Sequence, residues 1–283
     1  AVAGYPHALA RILGDGELPK DSDAVAAAMA RAYAEVNADN MAKQVVGGAV
    51  AVALLLKLSG GDDGTPSSCT LYCSNVGDAR AVLCRRTASS EARASEDDST
   101  KEPTPRLVAT AAAEPTHVPS APQAQHCLHD KRRPCGDTYT QEELEARGYE
   151  AIRISRDFKP FDDDEYARIV HLGGFVSLRD GGRVCDDLAL TRSLGDLHLG
   201  CYVEPNPHFH TERFAAGECP FVIIGCDGVW DALRDDEAAA AVLACTPDYA
   251  KGATALRDLA FLHGSTDNIS ALVVDLTPLT SLS

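Results

Sequence analysis

The stretch Phe221–Leu233, FVIIGCDGVWDAL, indicates a buried strand that ends beside a pair of acidic residues. Its first four residues are apolar, which is typical of a strand covered on both faces. Asp227 follows closely, and Asp231 comes four residues later. If a helix begins here, both carboxylates lie on one face, because residues four apart are neighbours on a helix. They are then either half of a metal site or a helix cap followed by a solvated acid.

The composition limits the kind of protein. The chain has 283 residues, of which 45% are hydrophobic, and this is enough for one large domain with a full core. Its formal net charge of −16 repels nucleic-acid backbones and anionic membranes, so we expect neither as a partner. The longest apolar segment, 45–58, contains a lysine and is too short to cross a bilayer.

The ten cysteines show no disulfide framework. Several lie in apolar runs, which favours buried, reduced thiols of an intracellular protein. We therefore predict an intracellular, cytoplasmic location. The sequence begins with Ala1 and shows no signal peptide. A targeting signal upstream of Ala1 is compatible with this sequence.

Helical patterns occupy both ends of the chain. Residues 1–14 and 24–40 are rich in strong helix formers, and Ser22 or Asp23 is a suitable N-cap for the second helix. Three further segments show the same type of pattern: DEYARIVHLGG, DDEAAAAVLAC and ATALRDLAFLHG.

Extended patterns come mostly in hairpins. Segments 68–77 and 79–86 flank a turn at 75–78, which predicts a hairpin. A second hairpin is indicated in FVSLRDGGRVCDDLAL, with its turn at 180–182. Single strands are expected in VVGGAVAVALLLKL, AIRIS and SALVVDL. Because hairpins dominate and helices form separate blocks, we predict an α+β fold with antiparallel sheets covered by helices.

Residues 86–146 differ from the rest in composition. Ser, Ala, Thr, Pro and mixed charges dominate without a period, and such a segment cannot bury enough apolar surface to fold. We predict a disordered insertion within one domain that spans 1–277. This insertion is either a docking arm for a partner protein or a loop without a function.

Several acidic residues stand beside predicted strands. Asp78 lies in a turn, Asp157 follows the strand AIRIS, and Asp267 precedes the last strand. Carboxylates without a His or Cys ligand set suit hard divalent ions such as Mg²⁺ and Mn²⁺. The alternative is that each Asp serves a turn or a cap.

The order of the motifs resembles the metal-dependent serine/threonine protein phosphatases of type 2C. The similarity rests on SNVGDARAVL (74–83), RDFKPFDDDEYARIVHLGGFV (156–176), RVCDDLALTRSLGD (183–196), CDGVWDAL (226–233) and GSTDNISALVV (264–274). It covers residues 1–84 and 151–277. The resemblance implies a four-layer α/β/β/α sandwich of two antiparallel sheets flanked by helices, with two or more Mg²⁺ or Mn²⁺ ions at one end.

The resemblance also implies roles for individual residues. The implied metal ligands, a core pair and then a weaker pair, are Asp227, Asp267, Asp157 and Asp231. The residues implied to support the site are Asp78, Gly228, Asn268, Arg192 and Asp196. The implied reaction is hydrolysis of phosphoserine and phosphothreonine on protein substrates by a metal-activated water. This reaction has no phospho-enzyme intermediate, and the cysteines take no part in it.

The sequence departs from the family at its start. The family carries two strands and a DGHGG segment, with metal and phosphate ligands, ahead of the helix that residues 1–13 resemble. We therefore expect a domain that is N-terminally incomplete: a fragment of a longer polypeptide, strands supplied by another chain, or a rearranged fold. Phe158 also replaces a His of the family. The alternative function is a catalytically inactive pseudophosphatase that acts as a regulatory or scaffold domain, and an acidic subunit of an assembly is a weaker alternative.

Overall fold

The computed structural model describes residues 4–14, 18–60, 66–87 and 140–277, and their helices and strands form four layers. The helices are α1 (Gly4–Leu13), α2 (Ser22–Ala42), α3 (Gln141–Ala146), α4 (Asp163–His171), α5 (Asp227–Trp230), α6 (Asp235–Cys245) and α7 (Tyr249–Leu262). The strands are β1 (Gly48–Ala49), β2 (Ala51–Gly60), β3 (Pro66–Val76), β4 (Arg80–Arg86), β5 (Tyr149–Arg153), β6 (Val176–Ser177), β7 (Arg183–Val184), β8 (Leu194–Gly195), β9 (His208–Ala215), β10 (Phe221–Gly225) and β11 (Ala271–Asp275).

Two antiparallel sheets lie at the centre. One has the strand order β2-β3-β9, and the other has the order β11-β10-β4-β5. Helices α1 and α2 pack on the outer face of the first sheet, while α3, α6 and α7 cover the second. This arrangement confirms the predicted α/β/β/α sandwich. Within the described part of the chain, β2 and β11 each pair with one strand and form edges.

The apolar residues at the start of β10 pack into two hydrophobic cores, one on each face of the sheet. Phe221 and Ile223 face α6 and its neighbours, whereas Val222 lies between the sheets. All three are fully buried. Because successive side chains of a strand point to opposite faces, a central strand of a sandwich is apolar at every position.

The predicted hairpin of β3 and β4 is wrong. β3 pairs with β2 and β9, whereas β4 pairs with β10 and β5, so the turn carries the chain from one sheet to the other. Gly77 makes this crossing compact, since its φ is +90° and a Cβ there would lie 2.2 Å from Cγ1 of Val50. The hairpin of β6 and β7 is confirmed.

Two predicted boundaries change in the structure. The N-cap of α2 is Asp21, whose carboxylate accepts a hydrogen bond from the Asp23 amide, rather than Ser22 or Asp23. The end of the predicted 86–146 insertion is ordered, because Thr140 caps α3 and the buried Leu144 packs against the α6 core. Residues 88–139, with the suggested docking arm, lie outside the described residues.

The cysteines of the described residues are all free thiols. Cys69, Cys73, Cys84 and Cys219 are buried in the core. Burial raises the pKa of the Cys73 thiol to about 12, which leaves it protonated and unreactive. Among the described helices, none combines the length and the apolar character that crossing a membrane requires.

Candidate metal centre

The first acidic motif lies where β10 meets α5. The strand ends at Gly225, Cys226 is extended, and Asp227 is the first residue of the helix. Asp227 is therefore not the N-cap, and its Oδ1 accepts a hydrogen bond from the Gly228 amide at 2.8 Å. The Asp231 amide donates to the Asp227 carbonyl at 2.8 Å, so one helical turn separates the two acids. This confirms the predicted helix start and leaves both carboxylates beside the end of the sheet.

The second motif, Asp267-Asn268, is bound to the first through Cys226. The Cys226 thiol donates to the Asn268 carbonyl at 3.1 Å and accepts from the Ser270 amide at 3.2 Å. Its own amide donates to the Ser270 carbonyl at 3.1 Å. The sequence predicts no part for this cysteine, yet it holds the loop of Asp267 beside Asp227. In the sequence, the feature that could have indicated this role is the position of Cys226 between an apolar strand and an acidic residue.

The Asp227 carboxyl lies near three other predicted acidic residues. Burial raises the pKa of the Asp227 carboxyl, and the negative charges of Asp78, Asp267 and Asp231 raise it further. The acidic cluster, defined as Asp78, Asp227, Asp231 and Asp267, therefore concentrates negative charge at one end of the sandwich. This arrangement attracts a cation.

Asp157 is paired with an arginine. Its carboxylate accepts from Nη2 of Arg80 at 2.5 Å, and the two side chains are only 14% and 11% exposed. Arg80 also binds Asp235 at 2.7 Å and lies 5.1 Å from the centre of the Trp230 ring. The structure therefore places Asp157 in a salt-bridge network, and its role as a metal ligand stays a prediction.

Asp78 is paired with Lys159, a residue that the sequence analysis does not assign to the site. The Lys159 Nζ lies 2.5 Å from Oδ2 of Asp78, whose side chain is 7% exposed. Burial lowers the pKa of Lys159, but the carboxylates of Asp78, Asp231 and Asp157 outweigh this and raise it. The ammonium group therefore stays charged.

Arg192 reaches the loop that carries Asp157 and Lys159. It donates to the buried Glu165 at 2.5 Å, and its guanidinium lies 4.0 Å from the centre of the Phe158 ring. Phe158, which stands where the family has His, is 1% exposed, and its ring also lies 5.0 Å from the Arg156 guanidinium.

Asp196 directly follows β8, which pairs with β1. Its carboxylate accepts from the Ser193 hydroxyl at 2.7 Å, and its amide donates to the Gly47 carbonyl at 3.0 Å. A Cβ at Gly48 would overlap this carboxylate, so the backbone at Gly48 lies directly against the Asp196 side chain. The partners of Arg192 and Asp196 thus belong to the surrounding fold.

The ligand atoms of the acidic cluster are of the type that binds a hard divalent ion. They are carboxylate oxygens without thiolate or imidazole, which is the preference of Mg²⁺ and Mn²⁺. In the described ranges, however, no three His, Cys, Asp or Glu side chains converge closely enough to enclose an ion. Asp227 and Asp267, held on loops that are hydrogen-bonded to each other, are the residues suited to hold one.

Comparisons with known proteins show which proteins this sequence is similar to. The sequence model of the family "Protein phosphatase 2C" matches residues 7–104 and 145–269. "Probable protein phosphatase 2C 59" of Arabidopsis thaliana is 39% identical over 128 residues, which are 45% of this chain and 40% of that protein. "Protein phosphatase 2C homolog 1" of Schizosaccharomyces pombe is 38% identical over 131 residues, which are 46% of this chain and 37% of that protein. The matched region thus spans well under half of these relatives.

Solved structures share the fold. The serine-threonine phosphatase 2C from Toxoplasma gondii superposes with a TM-score of 0.61 at 15% identity, over 96% of this chain and 78% of that chain. A C. elegans sex determining protein gives a TM-score of 0.61 at 17% identity, over 98% of this chain and 52% of that chain. The family model covers more than half of the present sequence, in two blocks that are separated by residues 105–144 of the predicted 86–146 insertion. The chain therefore belongs to the protein phosphatase 2C family.

Proposed function

We propose that this chain takes part in the metal-dependent hydrolysis of phosphoserine and phosphothreonine on proteins. The observation that supports the proposal is the packing of the Asp267 loop against the start of α5, where the Cys226 thiol and Gly228 contact the Asn268 carbonyl and hold Asp267 beside Asp227. Phosphoproteins are the substrates that family membership suggests.

In this mechanism, Asp227 and Asp267 would hold Mg²⁺ or Mn²⁺, and Asp231 would add negative charge one helical turn away. Such an ion would supply Lewis acidity towards the phosphoryl oxygens and would lower the pKa of a water. The protein supplies rigidity, because Cys226 and Gly228 fix the two acid-bearing loops against each other. Arg80 and Lys159 balance the neighbouring carboxylates, which keeps the acidic end of the sandwich folded.

The test is hydrolysis of a phosphothreonine peptide by the full chain, with and without Mn²⁺. We expect Asp227→Asn and Asp267→Asn each to lose more than ~100-fold in rate, because outer-shell changes alone cost ~10–100-fold. Asp258→Asn is the matched control, since this aspartate is exposed and pairs only with the neighbouring Arg257 in the described contacts. Full activity of both site variants would reject the proposal.

A second candidate is a phosphatase-like domain that binds a partner without hydrolysis. It is favoured by the lack of three converging ligands within the described residues and by the neutralisation of Asp157 and Asp78 by Arg80 and Lys159. Calorimetric binding of the phosphothreonine peptide separates the candidates. Binding without turnover, unaffected by Mn²⁺, supports the second one.

The cellular location is also a proposal. The free thiols of the described residues, several of them buried, support the predicted intracellular placement, since oxidising compartments favour disulfides. Microscopy of a fluorescently tagged full-length protein tests this directly.

A further inference from the structure

Two sheet edges lie on the same side of the sandwich. In the part of the chain that the structure describes, β2 pairs only with β3, and β11 pairs only with β10. A single cleft of about 240 Å³ is lined by residues of both sheets, among them Val52 of β2, Ile224 of β10 and Leu272 of β11. We call it the edge cleft. It opens the space between the two sheets to solvent.

The core between the sheets is incomplete along this side. Val52, Leu54 and Leu56 of β2 pack against that core, yet all three are only partly buried. Leu71 and Cys73 of the neighbouring strand β3 belong to the same core and are fully buried. The exposure is therefore a property of the edge and not of the core as a whole.

Leu272 exposes a large apolar side chain in the same cleft. It pairs in register with Ile224, which packs against the core between the sheets. Directly paired residues point to the same face of a sheet, so Leu272 also faces the space between the sheets. It is nevertheless 55% exposed. A core-facing leucine that meets solvent extends the apolar surface that β2 presents.

The edge of β2 is suited to pair with an added strand. An edge strand presents backbone N–H and C=O groups at alternate residues, and proteins usually cover or charge such an edge. β2 is 10 residues long, and residues 51–56 are all apolar. Lys57, the charge next in line, donates instead to the carbonyls of Leu18 and Pro19. The edge is thus long, apolar and weakly guarded, as in strands that bind extended peptides.

We propose that the edge cleft binds an extended segment of a partner polypeptide, which adds to β2 as a strand and places alternate apolar side chains between the sheets, against Leu54 and Leu272. Main-chain hydrogen bonds to β2 supply affinity, and the apolar side chains complete the core. The inference goes beyond the proposed function and does not rest on it, because neither a metal nor a phosphate takes part.

Charge distinguishes this partner from a second copy of the chain. The formal net charge of −16 makes two copies repel each other. Cys226 and Ser270 line the cleft, and they belong to the same motifs as the acids Asp227 and Asp267. A segment with basic residues at its ends is therefore attracted to the edge cleft, whereas an acidic one is repelled.

The test uses the full chain and a fluorescent peptide as long as β2, with alternating valine and threonine and a lysine at each end. Fluorescence anisotropy measures its Kd, and amide hydrogen exchange by nuclear magnetic resonance reports on the edge. We expect saturable binding and slower exchange at alternate residues of β2, because only the outward-facing amides of an edge strand gain a partner. The same peptide with glutamate at each end should bind more weakly.

The variant that tests the apolar contact is Leu272→Lys, which places a charge in the cleft at an exposed position and so protects folding. We expect its Kd to rise by more than about tenfold, since burial of a leucine side chain contributes at least that factor. Leu262→Lys is the matched control. Leu262 is 62% exposed on α7 and does not line the cleft, so its Kd should stay within about twofold of the wild type.

A second comparison leaves the protein unchanged. The peptide methylated at alternate backbone nitrogens keeps its side chains but loses the donors that face β2, and its Kd should rise by more than about tenfold.

Each contrary outcome overturns the proposal. These outcomes are the absence of peptide binding, equal binding by Leu272→Lys and the wild type, and unchanged exchange in β2. Ultracentrifugation that shows a dimer, which the peptide does not dissociate, identifies a second copy as the occupant. All of them leave metal-dependent hydrolysis standing, because that activity is measured separately.

Discussion

Gly228 and Asn268 pack against each other so closely that a Cβ on Gly228 would lie 2.3 Å from the Asn268 carbonyl oxygen. The same carbonyl accepts the hydrogen bond of the Cys226 thiol. The two family motifs around Asp227 and Asp267 thus form one packed unit. The position of each carboxylate depends on the backbone of the other motif.

The first prediction concerns Gly228→Ala. The added methyl group collides with backbone, which cannot rotate away, so the loop of Asp267 must shift. We expect a loss of about 1–3 kcal/mol in the free energy of unfolding, as for other overpacked sites. Urea unfolding provides the measurement. Gly4→Ala is the control, because its Cβ would lie at an ordinary 3.5 Å from Val36, and its change should stay within about 0.5 kcal/mol.

The second prediction concerns Cys226→Ala. This change removes one donor and one acceptor and leaves the Ser270 amide without its sulfur partner. We expect about 1 kcal/mol of lost stability and faster hydrogen exchange at the Ser270 amide. Cys226→Ser should keep exchange close to that of the wild type, because its hydroxyl can make both bonds. Equal exchange in the alanine variant and in Cys201→Ala, an exposed control, would contradict the role of Cys226.

The third prediction concerns Arg80→Met. Arg80 is 11% exposed and binds both Asp157 and Asp235. Its loss leaves the Asp157 carboxylate uncompensated, whereas Asp235 keeps its ion pair with Arg153. We expect a loss of about 3–5 kcal/mol in the free energy of unfolding. The chain has a single tryptophan, Trp230, and Arg80 lies against its ring, so its emission reports the change directly. Arg11→Met is the control, since Arg11 is 72% exposed in its ion pair with Glu35, and little change is expected.

The fourth prediction concerns pH. Burial tends to raise the pKa of Glu165, but hydrogen bonds from Arg192 and Arg168 outweigh it and lower the pKa below its ordinary value. The folded state therefore prefers the ionised form. This contribution to stability is complete above the ordinary pKa of about 4.3 and is lost as the pH falls through the lower folded value.

Glu165→Gln should accordingly be less stable than the wild type near neutral pH. Its free energy of unfolding should also change less as the pH falls into the acidic range. Urea midpoints measured across that range test both statements. Asp258→Asn, at an exposed ion pair, should follow the wild-type curve. A Glu165→Gln curve parallel to the wild-type curve at low pH would show that this carboxylate does not carry the effect.

The sequence by itself determined the local elements and the acidic motifs. The apolar run of β10, the helix that starts at Asp227, and the β6–β7 hairpin follow from short-range patterns, because side-chain period and turn residues act within a few positions. The ordered family motifs predict which acids hold a metal, and that assignment stays a prediction.

Only the tertiary structure decided how these pieces pair. β3 and β4 are both buried strands on either side of a tight turn, and their sequences look the same whether they share one sheet or cross between two. Likewise, Arg80, Lys159 and Cys226 acquire their roles from partners distant in sequence: Asp157, Asp78 and Asn268. The physical reason is that strand pairing, ion pairing and loop contacts depend on long-range burial, which a local pattern does not specify.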